Sequence, residues 1–312
     1  MGLYPIKRSY GFRVDTSVKG VSASRRFPVH LSFSAAQAVA ASDTGVGAKT
    51  LAAAAQAAVT AGLVSPAVPR ALRIVSNKAN GAGNVKIYGT NMAGEDINET
   101  LALNGTTRTE GAKAFRTVTK VDLPAQVNTP VAQVETATVV ATVSAAGDAA
   151  VTVASALFEE NVVLAVPVEE GDGANDVAAA IRAAMEADPD ISEHFDVSGE
   201  DAAVILTAKV PAANDATLNI AIATGTATGV TTAATSVNTT AGVAPDIVSI
   251  GWNDKLGLPY KLAHNTVVAA AVNNVRETTA PTVTVSATAL ESNTVDPHSA
   301  LAGHVVDIYL IV

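Results

Sequence analysis

The chain has 312 residues, 48% of them hydrophobic but only 4% aromatic, with a formal charge of −9 and no cysteine. That length allows two domains of ordinary size, and the missing cysteines exclude a disulfide framework and thiolate metal sites, so the fold must rest on packing. No run of about 18 uncharged apolar residues occurs and MGLYPIKRSYGF lacks an apolar leader stretch, so neither a membrane span nor a signal peptide is expected.

The first 30 residues read as a basic N-terminal arm: Lys7, Arg8, Arg13, Lys19, Arg25 and Arg26 face only Asp15. Such an arm suits an acidic protein surface or nucleic acid. RFPVHLSFS (26–34) alternates as a strand does, whereas AAQAVAAS and TLAAAAQAAVTAGL fit helix or small-residue strand equally. Two prolines in LVSPAVPRALRIVSN stop any helix and lead into a strand at Ala71 to Ser76. Val85 and Ile87 then alternate with Lys86 and Tyr88, Asn91 to Glu95 carries turn chemistry, and Ile97, Leu101 and Leu103 run back: a hairpin. Asn104-Gly105 marks a further turn, and AFRTVTKVDL (114–123) a further strand.

Beyond Pro124 and Pro130 the charge balance changes. Val131 to Pro245 holds 2 basic residues, Arg182 and Lys209, against 16 acidic ones, while the remainder has 18 basic and 13 acidic. The stretch is therefore a module of net −14 set into a chain of net +5. Within it, ATVVATVSAAGDAAVTVAS predicts a hairpin turning at Gly147-Asp148, and ENVVLAVPVEEGDGAND a strand entering a polar loop. NDVAAAIRAAMEADPD predicts an amphipathic helix capped by Asn175 or Asp176, with Val177, Ile181, Ala184 and Met185 on one face and Pro189 past its end. Strands in FDVSGEDAAVILTAK and DATLNIAIATG complete it. After Pro245 the chain returns through DIVSIGWNDKLGLPYKL and closes on HVVDIYLIV, too apolar for a loose tail and expected to be a central or covered strand.

The fold expected is mainly β with an α+β insertion: a β-sandwich-like or barrel-like outer domain over 31–129 and 246–312, interrupted by a compact β-α-β module over 131–245. Insertions of this kind are tolerated where the module's ends lie close together.

Catalytic patterns fail on inspection. DTGVGAKT (43–50) has Asp43 and Ala48 where a phosphate loop requires glycine, and reads as a Gly-bearing turn. No G-x-S-x-G, H-E-x-x-H or G-x-G-x-x-G occurs. His298 and His304 with Asp296 have a spacing that could assemble a metal site on a turn, but read as surface or hydrogen-bonding residues; DPDISEHFD (188–196) lacks an EF-hand glycine and reads as a helix-to-strand loop. Glu169, Glu170 and Asp172 read as another solvated loop, and Trp252 as a packing residue rather than a sugar platform. No catalytic residue, cofactor or metal is expected, and the chain reads as no enzyme.

The run VPRALRIVSNKANGAGNVKIYGTNMAGEDINETLALNGTTRTEGAKAFRTVTKVDLP resembles a recurrent pattern in structural proteins of tailed bacteriophages, as do DIVSIGWNDKLGLPYKL and the ESNTV segment. The inserted VETATVVATVSAAGDAAVTV, DVAAAIRAAMEADPDISEHFDVSGEDAAVILTAK and PAANDATLNIAI are similar to a module that recurs in phage virion proteins. The resemblance covers most of the chain after about residue 60 and leaves the arm outside it. It implies a virion structural protein without catalytic residues, of which a capsid decoration protein on the outer head surface is the first reading. A tail or neck ring component and a carbohydrate-binding host-adhesion module are the alternatives. The partners implied are the major capsid protein and copies of the chain itself, up to a homotrimer, with no membrane and no nucleic acid. Synthesis would be in the bacterial host cytoplasm, and Lys7, Arg8, Arg13, Lys19, Arg25 and Arg26 become the candidate capsid-contact residues.

Overall fold

The computed structural model describes residues 28–231 and 236–311. The six basic residues of the arm lie outside the described residues. The first stretch forms β1 (Pro28–Phe33), β2 (Ser42–Thr50), β3 (Gln56–Val59), β4 (Arg70–Ser76), β5 (Asn84–Thr90), β6 (Asp96–Ala102), β7 (Thr109–Phe115) and β8 (Thr117–Leu123). The second forms β9 (Val134–Thr138), β10 (Ala141–Ala145), β11 (Gly147–Ala154), β12 (Val162–Val168), α1 (Ala174–Ala187), α2 (Pro189–His194), β13 (Phe195–Ser198), β14 (Ala203–Ala208), β15 (Asn219–Ala223), β16 (Thr228–Val230) and β17 (Val237–Thr240). The last forms β18 (Ile247–Gly257), β19 (Val267–Val272), β20 (Val275–Arg276), β21 (Thr282–Thr284), β22 (Thr294–Asp296) and β23 (Val306–Ile311). The protein is mainly β. Contacts gather residues 28–127 and 247–311 into one unit and Asn128–Asp246 into another.

The first unit has two cores. Strands β21, β22, β18, β4 and β7 form one sheet, with β2 also paired to β18; β3, β8, β5 and β6 form a second. Their inward residues meet in one cluster, with Leu72 and Ile74 of β4, Val248 and Ile250 of β18, Ile87 of β5 and Val121 of β8. A third sheet, β1-β23-β19-β20, contributes Ile308 and Leu310 to the other cluster, where Leu256 and Leu258 also lie. The eleven-residue β18 thus serves both cores, and its register on β4 shifts between Trp252 and Leu256, where it passes from one to the other. β23 lies between β1 and β19, so the apolar chain end is a central strand.

The hairpin of β5 and β6 is in continuous register from Asn84↔Ala102 to Thr90↔Asp96. Buried Asn91 builds its turn: Oδ1 accepts from the N–H groups of Ala93 at 2.9 Å and Glu95 at 3.1 Å, and Nδ2 donates to Glu95 Oε2 at 2.7 Å. Gly94, at φ +81°, takes the left-handed position that side chains resist. On the other side of β5 the register with β8 shifts between Tyr88 and Gly89, where a Cβ on Gly89 would overlap the Thr117 carbonyl.

In the second unit α1 packs Val177, Ala178, Ile181 and Met185 into a core shared by the inward faces of β9–β15 strands, including Val151, Val166, Leu206 and Ile222. Its sheets are β12-β11-β15, β13-β14-β9-β17 and the pair β10-β16. The chain ends of this unit are tied together: Val131 bridges Val243, and Asp246 accepts from Asn128 N at 2.9 Å and Asn128 Nδ2 at 2.9 Å.

Several local expectations are corrected. DTGVGAKT is neither phosphate loop nor turn but most of β2, held by its pairing with β18. AFRTVTKVDL divides at Arg116: β7 pairs with β4 while β8 pairs with β5 and β3, so the chain changes sheets there. Residues 137–155 form no hairpin, because β10 pairs with β16 and β11 with β12 and β15; Gly147-Asp148 begins β11 instead of turning. Non-local partners outweighed the local turn signal. The N-cap of α1 is Gly173, and Asp176 sits at the third helical position, accepting from Gly173 N at 3.1 Å. Pro189 opens α2, capped by Asp188 on the N–H groups of Asp190 and Ile191, so 189–194 is helical and 195–196 begins β13 where a loop was expected. FDVSGEDAAVILTAK makes two strands, β13 and β14, paired with each other.

Candidate functional site

The sequence motifs that carried possible chemistry resolve into a strand, a short helix, a turn and a packed indole. His298 donates its backbone N–H to Asp296 Oδ1, and among the described residues no group of three or more His, Asp or Glu side chains is placed to hold a metal ion. Trp252 is half-buried, with Nε1 donating to Ala40 O at 3.1 Å and its ring lying where a Cβ on Gly45 would be. The indole is a packing element. Among the described residues no helix is long and apolar enough to cross a membrane.

Charged groups in the first unit are spent on holding strands. Arg70, fully buried, donates from Nε to Asn253 O at 2.8 Å and from Nη1 to Val39 O at 2.6 Å, and its Nη2 lies 3.1 Å from Asp254 Oδ1. Burial pulls its guanidinium down to about 10, which leaves it charged at neutral pH. Asp43 accepts from Arg108 through both oxygens at 2.7 Å and forms an ion pair with Arg73, whose Nε lies 2.7 Å from Oδ1; the Arg108 hydrogen bonds come first in holding its carboxyl below the ordinary value. Glu99 of β6 accepts from Ala112 N of β7, and burial raises its carboxyl above the ordinary value despite that bond. Asp122 lies below its ordinary value through the N–H of Ala58 first and the hydroxyl of Tyr88 second. The Tyr88 ring in turn has Lys120 Nζ at 4.3 Å and Lys86 Nζ at 4.8 Å from its centroid. His30 stacks on Tyr309 at 4.6 Å and shares a 2.7 Å contact with Asp307, a cross-strand cluster of β1 and β23.

The second unit carries the arrangement best suited to recognition. The seven residues of β12, VVLAVPV, are uncharged and end their sheet. Val163 is 70% exposed, and Ala165 and Pro167 are exposed with it. A groove of about 600 Å³ opens at the start of the strand, lined by Leu157, Phe158, Glu159, Glu160, Asp190 and His194 among others. Phe158 lies edge-on to Phe195 at 5.9 Å, which fixes the ring against the core. Exposed Glu169 and Glu170 follow the other end of β12. An uncharged strand edge between two acidic ends, one of them hollow, can receive an extended chain; it offers no nucleophile and base in contact. Sequence reasoning saw the strand but not the groove, because Phe158, Asp190 and His194 meet only through folding. The candidate contact residues Lys7, Arg8, Arg13, Lys19, Arg25 and Arg26 are not among those described, so none is placed at this or any other site.

Comparison with protein-family models, with curated proteins and with solved structures gives no match.

Proposed function

We propose that the chain is a non-enzymatic structural protein of a tailed-phage virion, a decoration or cement protein bound to the outer head surface. The observation that carries the reading is the motif run from Val68 to Pro124, which resembles phage structural proteins and corresponds to the consecutive strands β4 to β8 of one folded unit. The charge pattern supports it: a basic arm precedes a β-rich unit, which we read as sandwich-like, and an acidic unit of its own core is set into a loop. In this reading the arm contacts the major capsid protein and the acidic unit projects into solvent. Attraction between a basic arm and an acidic capsid face acts over about 10 Å at 0.1 M salt, close enough to guide docking.

The test is immunogold labelling of intact virions with antibody against residues 131–245. Label spread over the head supports decoration; label confined to tail or neck rejects it for a ring component. Deleting residues 1–26 is expected to reduce loading onto heads by tenfold or more, on the order of 1.4 kcal/mol, and undiminished loading would remove the arm's role. Binding on a glycan array would point instead to host adhesion.

A further inference from the structure

From the edge of β12 and the groove beside it, we propose that the second unit binds an extended peptide segment with lysine or arginine at both ends, added antiparallel to β12. The partner is a cationic-ended strand, and the inference does not rest on the virion reading.

The open edge follows from the register. Residues 149, 151 and 153 of β11 lie opposite 166, 164 and 162 of β12, and Ala150 and Thr152, opposite 165 and 163, are in register with Ala223 and Ala221 of β15 on the other side. Asp148, opposite Pro167, has its carbonyl accepting from Thr226 N and Ala227 N, away from β12. The ladder to β11 therefore uses the backbone groups of Val162, Leu164, Val166 and Val168. With the two-residue repeat of a strand, Val163, Ala165 and Pro167 direct theirs to the free side, where the missing N–H of proline breaks no ladder bond. That side presents the N–H groups of Val163 and Ala165 and three carbonyls. Past Val168 the edge closes, because Val143 of β10 bonds with Gly171 and Asp172.

Charge selects the partner. Glu159 and Glu160 stand before the strand with Asp190 across the groove, and Glu169 and Glu170 stand after it, while no charge lies between. A second copy pairing β12 to β12 antiparallel would set acid against acid at both ends. A segment with cationic ends reverses that sign. At about 3.4 Å per residue the distance from Glu160 to Glu169 is roughly 30 Å, so the two basic ends should be separated by about seven to eight residues. The end that enters the groove lays its aliphatic stem on Phe158 and brings its charge to Glu159, Glu160 and Asp190. Main-chain bonds would give affinity and the two acidic ends direction and selectivity.

Uncharged edges flanked by acids also occur simply as protection against aggregation, and the experiment separates the two. Full-length protein is titrated into the labelled synthetic peptide KKTVTVTVTKK, with EETVTVTVTEE as control, at 50 and 500 mM salt. The basic peptide is expected to bind at least ~10-fold tighter than the acidic one, with affinity falling at least ~10-fold between the two salts. Val163→Pro removes an edge N–H without touching the ladder and is expected to weaken binding ~10-fold. The quadruple variant E159Q/E160Q/E169Q/E170Q is expected to abolish the preference for the basic peptide. Amide exchange at Val163 and Ala165 should slow when peptide is added. Should Val163→Pro alter the thermal melt, the quadruple variant and the exchange pattern decide. Absence of binding up to 1 mM peptide, equal binding of both peptides, or wild-type behaviour of the variants would overturn the proposal and leave the acids as edge protection.

Discussion

Asn293 closes three chain segments with one buried side chain. Its Oδ1 accepts from Leu262 N at 3.1 Å and Ser286 N at 2.8 Å, and its Nδ2 donates to Ser286 O at 3.0 Å and Ala289 O at 2.8 Å. Asn293→Ala strands those backbone groups away from water, and we expect a loss of about 3 kcal/mol, measured by urea unfolding. Acid sensitivity also lives at this scale. Asp43 and Asp122 lie below the ordinary 3.8, and Asp215 does too: burial pushes its carboxyl up, but bonds from Thr217, Ala156 and Ser155 outweigh that. A carboxylate with a depressed folded value adds stability that is present above its unfolded value and is lost as pH falls through the folded one. Glu99, raised above 4.5, works in the opposite sense, since its protonation on acidification relieves a burial cost. Three against one gives a melting temperature that is flat near neutrality and falls below about pH 4. Asp43→Asn should reduce that fall, and an unchanged acid profile would contradict the assignment. The Asp43 pairing was not legible in the sequence, because Asp43 and Arg108 are 65 residues apart and meet only when β2 and β7 fold into one unit.

At the scale of elements, alternation identified strands where one face is buried. β5 reads as an alternating strand and is one, with Val85, Ile87 and Gly89 inward. Local signals failed where a strand's partner is remote. β2, rich in Gly and Thr, takes its form from β18 about two hundred residues on, and at Gly251 the two backbones are so close that a Cβ there would overlap the Ser42 carbonyl. Gly251→Val should separate these strands at a cost of about 2 kcal/mol or more, read as loss of amide protection along β2. The cap of α2 was missed for a different reason: Asp188 stands between two helices, and a Pro after a helix signals its end equally well whether or not another begins. Asp188→Ala is expected to cost about 1 kcal/mol by chemical denaturation.

For the molecule as a whole, the boundary of charge and the boundary of contacts fall within a few residues of each other, at 131 and 245 against Asn128 and Asp246. Each unit closes its core with its own residues. Ile181→Ala and Ile87→Ala, each removing a fully buried side chain, should therefore lower separate calorimetric transitions by about 2–5 kcal/mol apiece. A single transition shifted equally by both would refute independent cores. Away from the arm the first unit is close to neutral: 28–127 and 247–312 hold 12 basic and 11 acidic residues, so nearly all the net positive charge outside the second unit belongs to residues 1–26.

Composition by itself determined the β-rich class, the lack of cysteine chemistry, the acidic middle and the helix stripe of Val177, Ile181 and Met185. These depend on residue type and short-range period, which a chain displays before it folds. Tertiary structure alone decided which strands share a sheet, which carboxylates meet arginines, and that an uncharged edge lies beside an acidic groove. Such pairings join residues far apart in sequence, and their energy comes from burial and backbone partners that no local window contains.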